Sequence, residues 1–139
     1  MSAAQQPADE TTRVETASLR TLVQYAGASG DFYEMHYDLP FAHERGHREL
    51  AVHGLLKTAW LGRLVEEWFA GQYPGGQGRI TVLDVSYRGM DFRDEPVTCG
   101  GRVTGQDGDR ISIEVWTASA DGTRTTIGTA EVALTEGRS

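Results

Sequence analysis

The sequence predicts an α+β domain in which an antiparallel β-sheet curls around one long helix. Residues 54–70 carry apolar side chains at helical spacing on one side and charged side chains on the other. Residues 79–134 contain four segments in which apolar and polar residues alternate, as they do in strands. A long, enclosed helix followed by consecutive antiparallel strands gives this fold class, because each element must bury its apolar face against another.

The length and composition predict a single domain. A chain of 139 residues with 24% charged residues falls within the usual range for one globular domain with a real core. Residues 1–13 lack apolar periodicity and are expected to form a flexible tail. The domain would therefore span residues 14–135.

The region before the long helix predicts two short helical segments. Ser18 can cap a helix whose apolar residues recur at helical spacing, and Gly27 or Gly30 can end it. Asp31 is therefore expected in a turn at or just past the end of that helix. Pro40 starts a second short helical segment, which is expected to end before an extended stretch at residues 49–52.

The main helix is predicted from Gly54 to about Ala70, and four strands are predicted after it. Five apolar residues define the buried side of the helix: Trp60, Leu61, Leu64, Val65 and Trp68. The strands are predicted at residues 79–87, 96–104, 110–118 and 125–134. Asp-Gly turns, which are typical of tight hairpins, separate the last three strands. The strands are therefore expected to form an antiparallel meander.

The charge and the apolar pattern exclude several functional classes. The formal net charge of −7 argues against a nucleic-acid partner, because phosphate binding needs a clustered positive surface and the basic residues are scattered. No apolar stretch is long enough to span a membrane, and the N-terminal residues have neither the basic leader nor the apolar core of a signal peptide. We therefore expect a cytoplasmic protein without a membrane partner.

Neither cysteine nor histidine spacing predicts a metal site. Cys99 is the only cysteine, and it falls in a predicted strand without a histidine nearby in sequence, so we expect an inert, packed thiol. His43 and His47 are four residues apart, which is the spacing of a metal pair. Gly46 interrupts that segment and no third ligand lies nearby in sequence, so we expect no metal.

The residues suited to chemistry lie in two short segments. Residues 25–38 read YAGASGDFYEMHYD and place the carboxylate of Asp31 five residues before the imidazole of His36. Residues 51–56 read AVHGLL, so that Gly54 opens the main helix, where backbone N–H groups lack intrahelical acceptors. A carboxylate and an imidazole can exchange protons, and free N–H groups can stabilise a developing negative charge. By spacing alone, the same residues could be an ordinary turn residue and a loop histidine.

These two segments resemble a known family. The residues that carry the resemblance are Ser29-Gly30-Asp31, Met35-His36, Asp38 and His53-Gly54. They are similar to the MaoC-like, or (R)-specific enoyl-CoA hydratase, family, whose pattern is S/T-G-D-x-N-P-I/L-H-x-D, followed after a gap by A-H-G-M. The resemblance implies a hot-dog fold, in which an antiparallel sheet wraps around a long central helix. Tyr33 and Glu34 replace the Asn-Pro of the family pattern.

The resemblance also implies an activity and a set of roles. The chain would add water to a 2-enoyl thioester, or remove it from a (R)-3-hydroxyacyl thioester, with Asp31 and His36 as the catalytic pair. The implied oxyanion and substrate-binding residues are Gly54, Ser29, His53 and Tyr33. Ser29 would support the loop, and His53 is also interpreted as a structural residue at the helix start. No cofactor is expected beyond the coenzyme A or acyl carrier protein that carries the substrate.

The proposed chemistry needs three groups. One group takes a proton from water, a second gives a proton to the α-carbon, and a third stabilises the enolate-like oxygen. Asp31 and His36 can supply the first two, because an imidazole exchanges protons near neutral pH and a carboxylate can orient water. The N-terminus of the main helix, with Gly54 allowing close approach to its backbone, can supply the third.

Several alternatives remain open. A hot-dog thioesterase would bind an acyl thioester at the same helix terminus but attack its carbonyl. The chain could also be a non-catalytic structural subunit of a heteromeric dehydratase.

A homodimer, or a hetero-oligomer with a second hot-dog subunit, is expected because a single hot-dog domain leaves one sheet face exposed. Lys57 could snorkel, contact a partner chain or reach a carrier phosphate. Departures similar to Tyr33-Glu34 occur in members that act on polyketide, mycolate or steroid side-chain thioesters, so the resemblance implies a role in lipid, polyketide or steroid metabolism.

Overall fold

The computed structural model describes residues 9–72 and 78–134. The elements in chain order are β1 (Glu10–Glu15), α1 (Leu19–Ser29), a 3₁₀ turn (Glu34–His36), α2 (Leu39–Glu44), α3 (Gly54–Gln72), β2 (Gly78–Tyr87), β3 (Val97–Asp107), β4 (Arg110–Ala118) and β5 (Arg124–Leu134). No helix among these residues combines the length and the hydropathy that a membrane span requires.

The strands form one five-stranded antiparallel sheet in the order β1-β3-β4-β5-β2. The predicted meander is confirmed for β3, β4 and β5, which follow one another through tight turns. It is wrong for β2, which pairs with β5 at the far edge. The connection after β2 therefore crosses back to β3 past the N-terminal end of α3, and just before that helix the Val52 N–H donates to the Asp91 carbonyl at 2.8 Å.

The prediction of a flexible tail at residues 1–13 is wrong for residues 10–13, and residues 1–8 lie outside the described part of the chain. Residues 10–15 form β1 and pair with β3, with Glu10 opposite Arg102 and Glu15 opposite Val97. The segment lacks apolar alternation, and Val14 is 60% exposed. Its strand conformation therefore depends on the backbone ladder that β3 offers, which local periodicity does not reveal.

The helix α3 is the centre of the core, as its periodicity predicts. Leu61 and Val65 are fully buried, and the indole rings of Trp60 and Trp68 are also buried. The sheet residues facing them include Ile113 and Val115, which are 1% and 0% exposed. The sheet therefore wraps around α3, which confirms the predicted fold class.

Two caps fix the chain that precedes the site. Ser18 accepts a hydrogen bond from the Thr21 N–H at the start of α1. Gly30 ends α1 with φ of 79°, in the left-handed region that favours glycine, and its N–H donates to the Ala26 carbonyl. Of the two glycines expected to end this helix, Gly30 does so. Asp31 therefore follows a defined C-cap.

Candidate active site

The imidazole of His36 is oriented by a backbone carbonyl. His36 ends the 3₁₀ turn and is 9% exposed, and its Nδ1 atom lies 2.8 Å from the Ala51 carbonyl oxygen. A carbonyl oxygen only accepts hydrogen bonds, so Nδ1 carries the proton in the neutral ring. The Nε2 atom is then left with a lone pair, which is the form that accepts a proton from water.

The carboxylate of Asp31 faces that free nitrogen. Asp31 Oδ2 lies 3.7 Å from His36 Nε2, and the Asp31 side chain is 36% exposed. This distance exceeds that of a direct hydrogen bond and suits a water that contacts both groups. The loop is held by Ser29, whose hydroxyl accepts from the Asp31 N–H at 3.2 Å and donates to the Tyr25 carbonyl at 2.7 Å.

His53 contacts both Asp31 and His36. Its Nε2–H donates to the backbone carbonyl of Asp31 at 3.2 Å, and its ring stacks on His36 with centroids 3.7 Å apart and planes at 16°. The edge of Tyr25 packs on it with centroids 5.0 Å apart. Burial lowers the pKa of His53, and the electrostatic effect of the neighbouring His36 lowers it further. A neutral His53 therefore supports both residues.

Gly54 begins α3 and meets an aromatic ring at close range. The first turn of α3 contains no acidic residue, so the N-terminal N–H groups and the positive end of the helix dipole are not neutralised there. A Cβ atom at residue 54 would lie 2.9–3.1 Å from three atoms of the Tyr87 ring. The Tyr87 hydroxyl lies 2.8 Å from Thr58 Oγ1. A side chain at residue 54 would therefore have to displace the Tyr87 ring.

A cavity of about 230 Å³ lies beside these groups. Its lining residues are Tyr33, Met35, His36, Ala51, Val52, Gly54, Lys57, Tyr87, Gly89 and Met90. The cavity thus brings together three of the predicted site residues: His36, Gly54 and Tyr33. Ser29, Asp31 and His53 lie outside its lining. They contact the lining residues or the loop that carries them.

Sequence reasoning missed a buried ion pair at the cavity wall. Lys57 Nζ donates to Asp91 Oδ2 at 3.0 Å and to the Gly89 carbonyl at 3.1 Å, and both charged side chains are 2% exposed. None of the three roles considered for Lys57 describes this placement. Asp91 lies in a connection without periodicity, so no local pattern joins it to a helix residue 34 positions earlier. The available signal was a charge near the apolar side of a core helix.

Asp31, His36 and His53 each offer one atom that could bind a metal ion, and these three atoms lie within 4.8 Å of one another. Each histidine already uses one ring nitrogen on a backbone carbonyl. The two ring planes are nearly parallel, at 16° and with centroids 3.7 Å apart, so lone pairs that lie in these planes do not converge on one point as a tetrahedral ion requires. The geometry therefore favours acid/base chemistry over metal binding for this cluster.

The sheet wrapped around α3, with the histidine pair at the N-terminus of that helix, defines a hot-dog domain. Residues 2–136 match the family model of the MaoC like domain, and the chain belongs to that family. The predicted family is thereby confirmed. No curated protein sequence matches the chain.

Solved structures give the same fold. An (R)-hydratase from A. caviae involved in PHA biosynthesis is similar with a TM-score of 0.80 and 21% identity, over 95% of this chain and 98% of the other. The ChsH1-ChsH2 complex from Mycobacterium tuberculosis is similar with a TM-score of 0.79 and 21% identity, over 94% and 98%. The fluoroacetyl-CoA thioesterase FlK has a TM-score of 0.65 and 13% identity, over 94% and 87%. At these identities the likeness concerns the fold.

Proposed function

We propose that this protein is a hydro-lyase that adds water to a 2-enoyl thioester, or removes it from a (R)-3-hydroxyacyl thioester. One observation carries the proposal. The unprotonated Nε2 of His36 faces the Asp31 carboxylate at 3.7 Å, and His36 shares a cavity with the N-terminus of α3 at Gly54. The family membership and the fold shared with an (R)-hydratase support this reading.

The proposed reaction uses these groups in turn. In the hydration direction, a water lies between Asp31 Oδ2 and His36 Nε2. Its oxygen bonds to the β-carbon as Nε2 takes one of its protons. The other proton stays on that oxygen and donates a hydrogen bond to the carboxylate, which also faces the imidazolium that forms. The π electrons of the substrate move onto the thioester oxygen. The imidazolium then returns its proton to the α-carbon, which restores the carbonyl and the neutral ring.

The negative charge of the intermediate falls on the thioester oxygen, and α3 is the group suited to stabilise it. The backbone N–H at Gly54 lies at the positive end of a helix whose first turn contains no acidic residue. One such donor is worth roughly a hundredfold to a thousandfold in rate. The close fit of Gly54 under Tyr87 would place the thioester against that ring.

The substrate carrier and the partner belong to the same proposal. Coenzyme A or an acyl carrier protein would bring the acyl group, and no further cofactor takes part. The outer edge of β2 has no strand partner among the described residues, and Leu55, Tyr87 and Met90 are 40–52% exposed near the site. A homodimer, or a pair with a second hot-dog subunit, would cover this edge. A cytoplasmic location is part of the proposal.

The first test removes the dyad. Asp31→Asn and His36→Ala should each lower the hydration rate of a crotonyl thioester about a hundredfold to ten-thousandfold, because His36 transfers the proton and Asp31 orients the water and faces the imidazolium. Loss of absorbance at the enoyl chromophore measures the rate, and circular dichroism checks the fold. Glu34→Gln is the matched control, since this exposed carboxylate lies on the same loop. Wild-type rates in either dyad variant would contradict the assignment.

The two remaining alternatives give different results. A thioesterase would release free thiol from a saturated acyl-CoA, whereas the proposed hydratase leaves the thioester intact. A structural subunit would be inactive alone, and its own side chains would take no part in the reaction after its partner is added. In that case Asp31→Asn would leave the activity of the complex unchanged, whereas the proposed role predicts an inactive complex.

A further inference from the structure

The ion pair between Lys57 and Asp91 joins three elements behind the candidate active site. Lys57 lies in the first turns of α3, and Asp91 lies in the connection after β2. Asp91 Oδ2 also accepts from the Thr125 hydroxyl on β5 at 2.5 Å, and Thr125 Oγ1 lies 2.9 Å from Thr117 Oγ1 on β4. Burying two charges is costly, and an apolar pair of similar volume is often as stable or more stable. Stability alone therefore gives a poor account of this pair.

The connection that carries Asp91 fixes the segment at residues 50–52. The Val52 N–H donates to the Asp91 carbonyl at 2.8 Å, and the Arg93 N–H donates to the Leu50 carbonyl at 2.9 Å. Between these bonds, Ala51 forms a β-bridge with Phe92. The backbone of residues 91–93 thus sets the position of the residues on either side of Ala51, and Asp91 holds the Val52 side.

The Ala51 carbonyl is the group that places the proton on His36 Nδ1, at 2.8 Å. We propose that Lys57 and Asp91 are a positioning pair for His36, which holds the connection against α3 so that the Ala51 carbonyl keeps the imidazole in its working tautomer and orientation. The inference rests on the proposed function for its catalytic consequence. The tautomer itself can be measured without any substrate.

The decisive variant replaces both charges by apolar groups, as Lys57→Met/Asp91→Leu. This protein should keep its circular dichroism and its unfolding midpoint. Its kcat for enoyl thioester hydration should fall about tenfold to a hundredfold, because displacements near 1 Å at a reacting group have costs of that size. KM should change little. A direct contact of Lys57 with the substrate would instead change KM, since Lys57 lines the cavity.

The tautomer provides the second readout. In the wild type, ¹⁵N NMR should show His36 with a protonated Nδ1 and an unprotonated Nε2. In the apolar double variant, the two tautomers should mix, because the Ala51 carbonyl is no longer held in place. This measurement remains valid even if the hydratase activity is absent, so that the two proposals fail separately.

A conservative pair and a stability control complete the test. Lys57→Gln/Asp91→Asn keeps hydrogen-bonding groups at both positions and should recover most of the kcat and the Nδ1–H tautomer, even if the apolar pair does not fold. Ile113→Val, a core substitution on β4 away from the cavity, should leave kcat and the tautomer unchanged. A folded apolar double variant with wild-type kcat and tautomer would overturn the inference. So would a neutral pair that folds but shows a mixed tautomer.

Discussion

At the scale of single residues, His53 has contacts that set the geometry of its neighbours although it does not line the cavity. Its Nε2–H holds the Asp31 backbone, its ring stacks on His36, and its peptide precedes the first residue of α3. Its Nδ1 atom is buried and has no hydrogen-bond partner among the described residues. A charge on this ring would have to be buried beside a second imidazole, so His53 is held neutral.

The lowered pKa of His53 predicts a pH-dependent stability. An unperturbed histidine has a pKa of about 6.5, and the pKa of His53 in the folded protein is lower. Between these two values the unfolded chain therefore binds more protons than the folded chain. This contribution is fully present above pH 6.5 and decreases as the pH falls below it. His53→Phe keeps a ring but removes the titration. The loss of unfolding free energy between pH 7.5 and 5.5, measured by urea denaturation, should be smaller in His53→Phe.

The wild type is the comparison for that experiment, because Tyr25, Asp31 and His36 face residue 53 in both proteins. Equal losses of stability in the two proteins over this pH range would show that His53 is not held neutral by the fold.

The close fit at Gly54 predicts a separation of activity from stability. In Gly54→Ala, the new methyl group would displace the Tyr87 ring and its hydroxyl contact with Thr58. The loss in stability should be about 1 kcal/mol, the size of one hydrogen bond. The hydration rate should fall more than tenfold, since the displaced ring would crowd the backbone donor. Kinetics and urea denaturation of the same variant measure both effects.

The double variant Gly54→Ala/Tyr87→Ala serves as the control, because it restores the space above residue 54. It should recover part of the lost rate. An unchanged rate in Gly54→Ala would argue against substrate binding at this terminus.

At the scale of elements, helical periodicity was sufficient to predict α3 and its buried side. It was not sufficient for β1, whose side chains are mostly exposed and whose strand conformation comes from pairing with β3. Arg13 and Glu15 of β1 also form ion pairs with Glu67 and Arg63 of α3. These contacts span about fifty residues in sequence, so no local pattern contains them.

The strand β3 contains the thiol of Cys99, which was predicted to be packed and inert. Cys99 is fully buried, and burial raises its pKa to about 12. The reactive thiolate is therefore scarce at pH 8. Iodoacetamide should leave Cys99 unmodified in the folded protein over a time in which the urea-unfolded chain reacts completely, as measured by mass spectrometry. Equal rates in the two states would show that β3 opens readily.

At the scale of the whole molecule, the site is assembled from segments far apart in sequence. The motif residues Asp31 and His36 could be selected from the sequence because they are close together and match a family pattern. The path of the connection after β2, which crosses the N-terminal end of α3, could not be predicted from the sequence because it depends on tertiary packing. The pairing of Lys57 with Asp91 follows from that crossing and was missed for the same reason.

The most direct measurement of the central claim is the fate of labelled water. We predict that the protein, incubated with a crotonyl thioester in H₂¹⁸O, places ¹⁸O in the 3-hydroxyl group of an intact thioester, and that Asp31→Asn does not. Mass spectrometry of the product locates the label. Label in the carboxylate of a free acid, or equal incorporation by Asp31→Asn, would contradict the account.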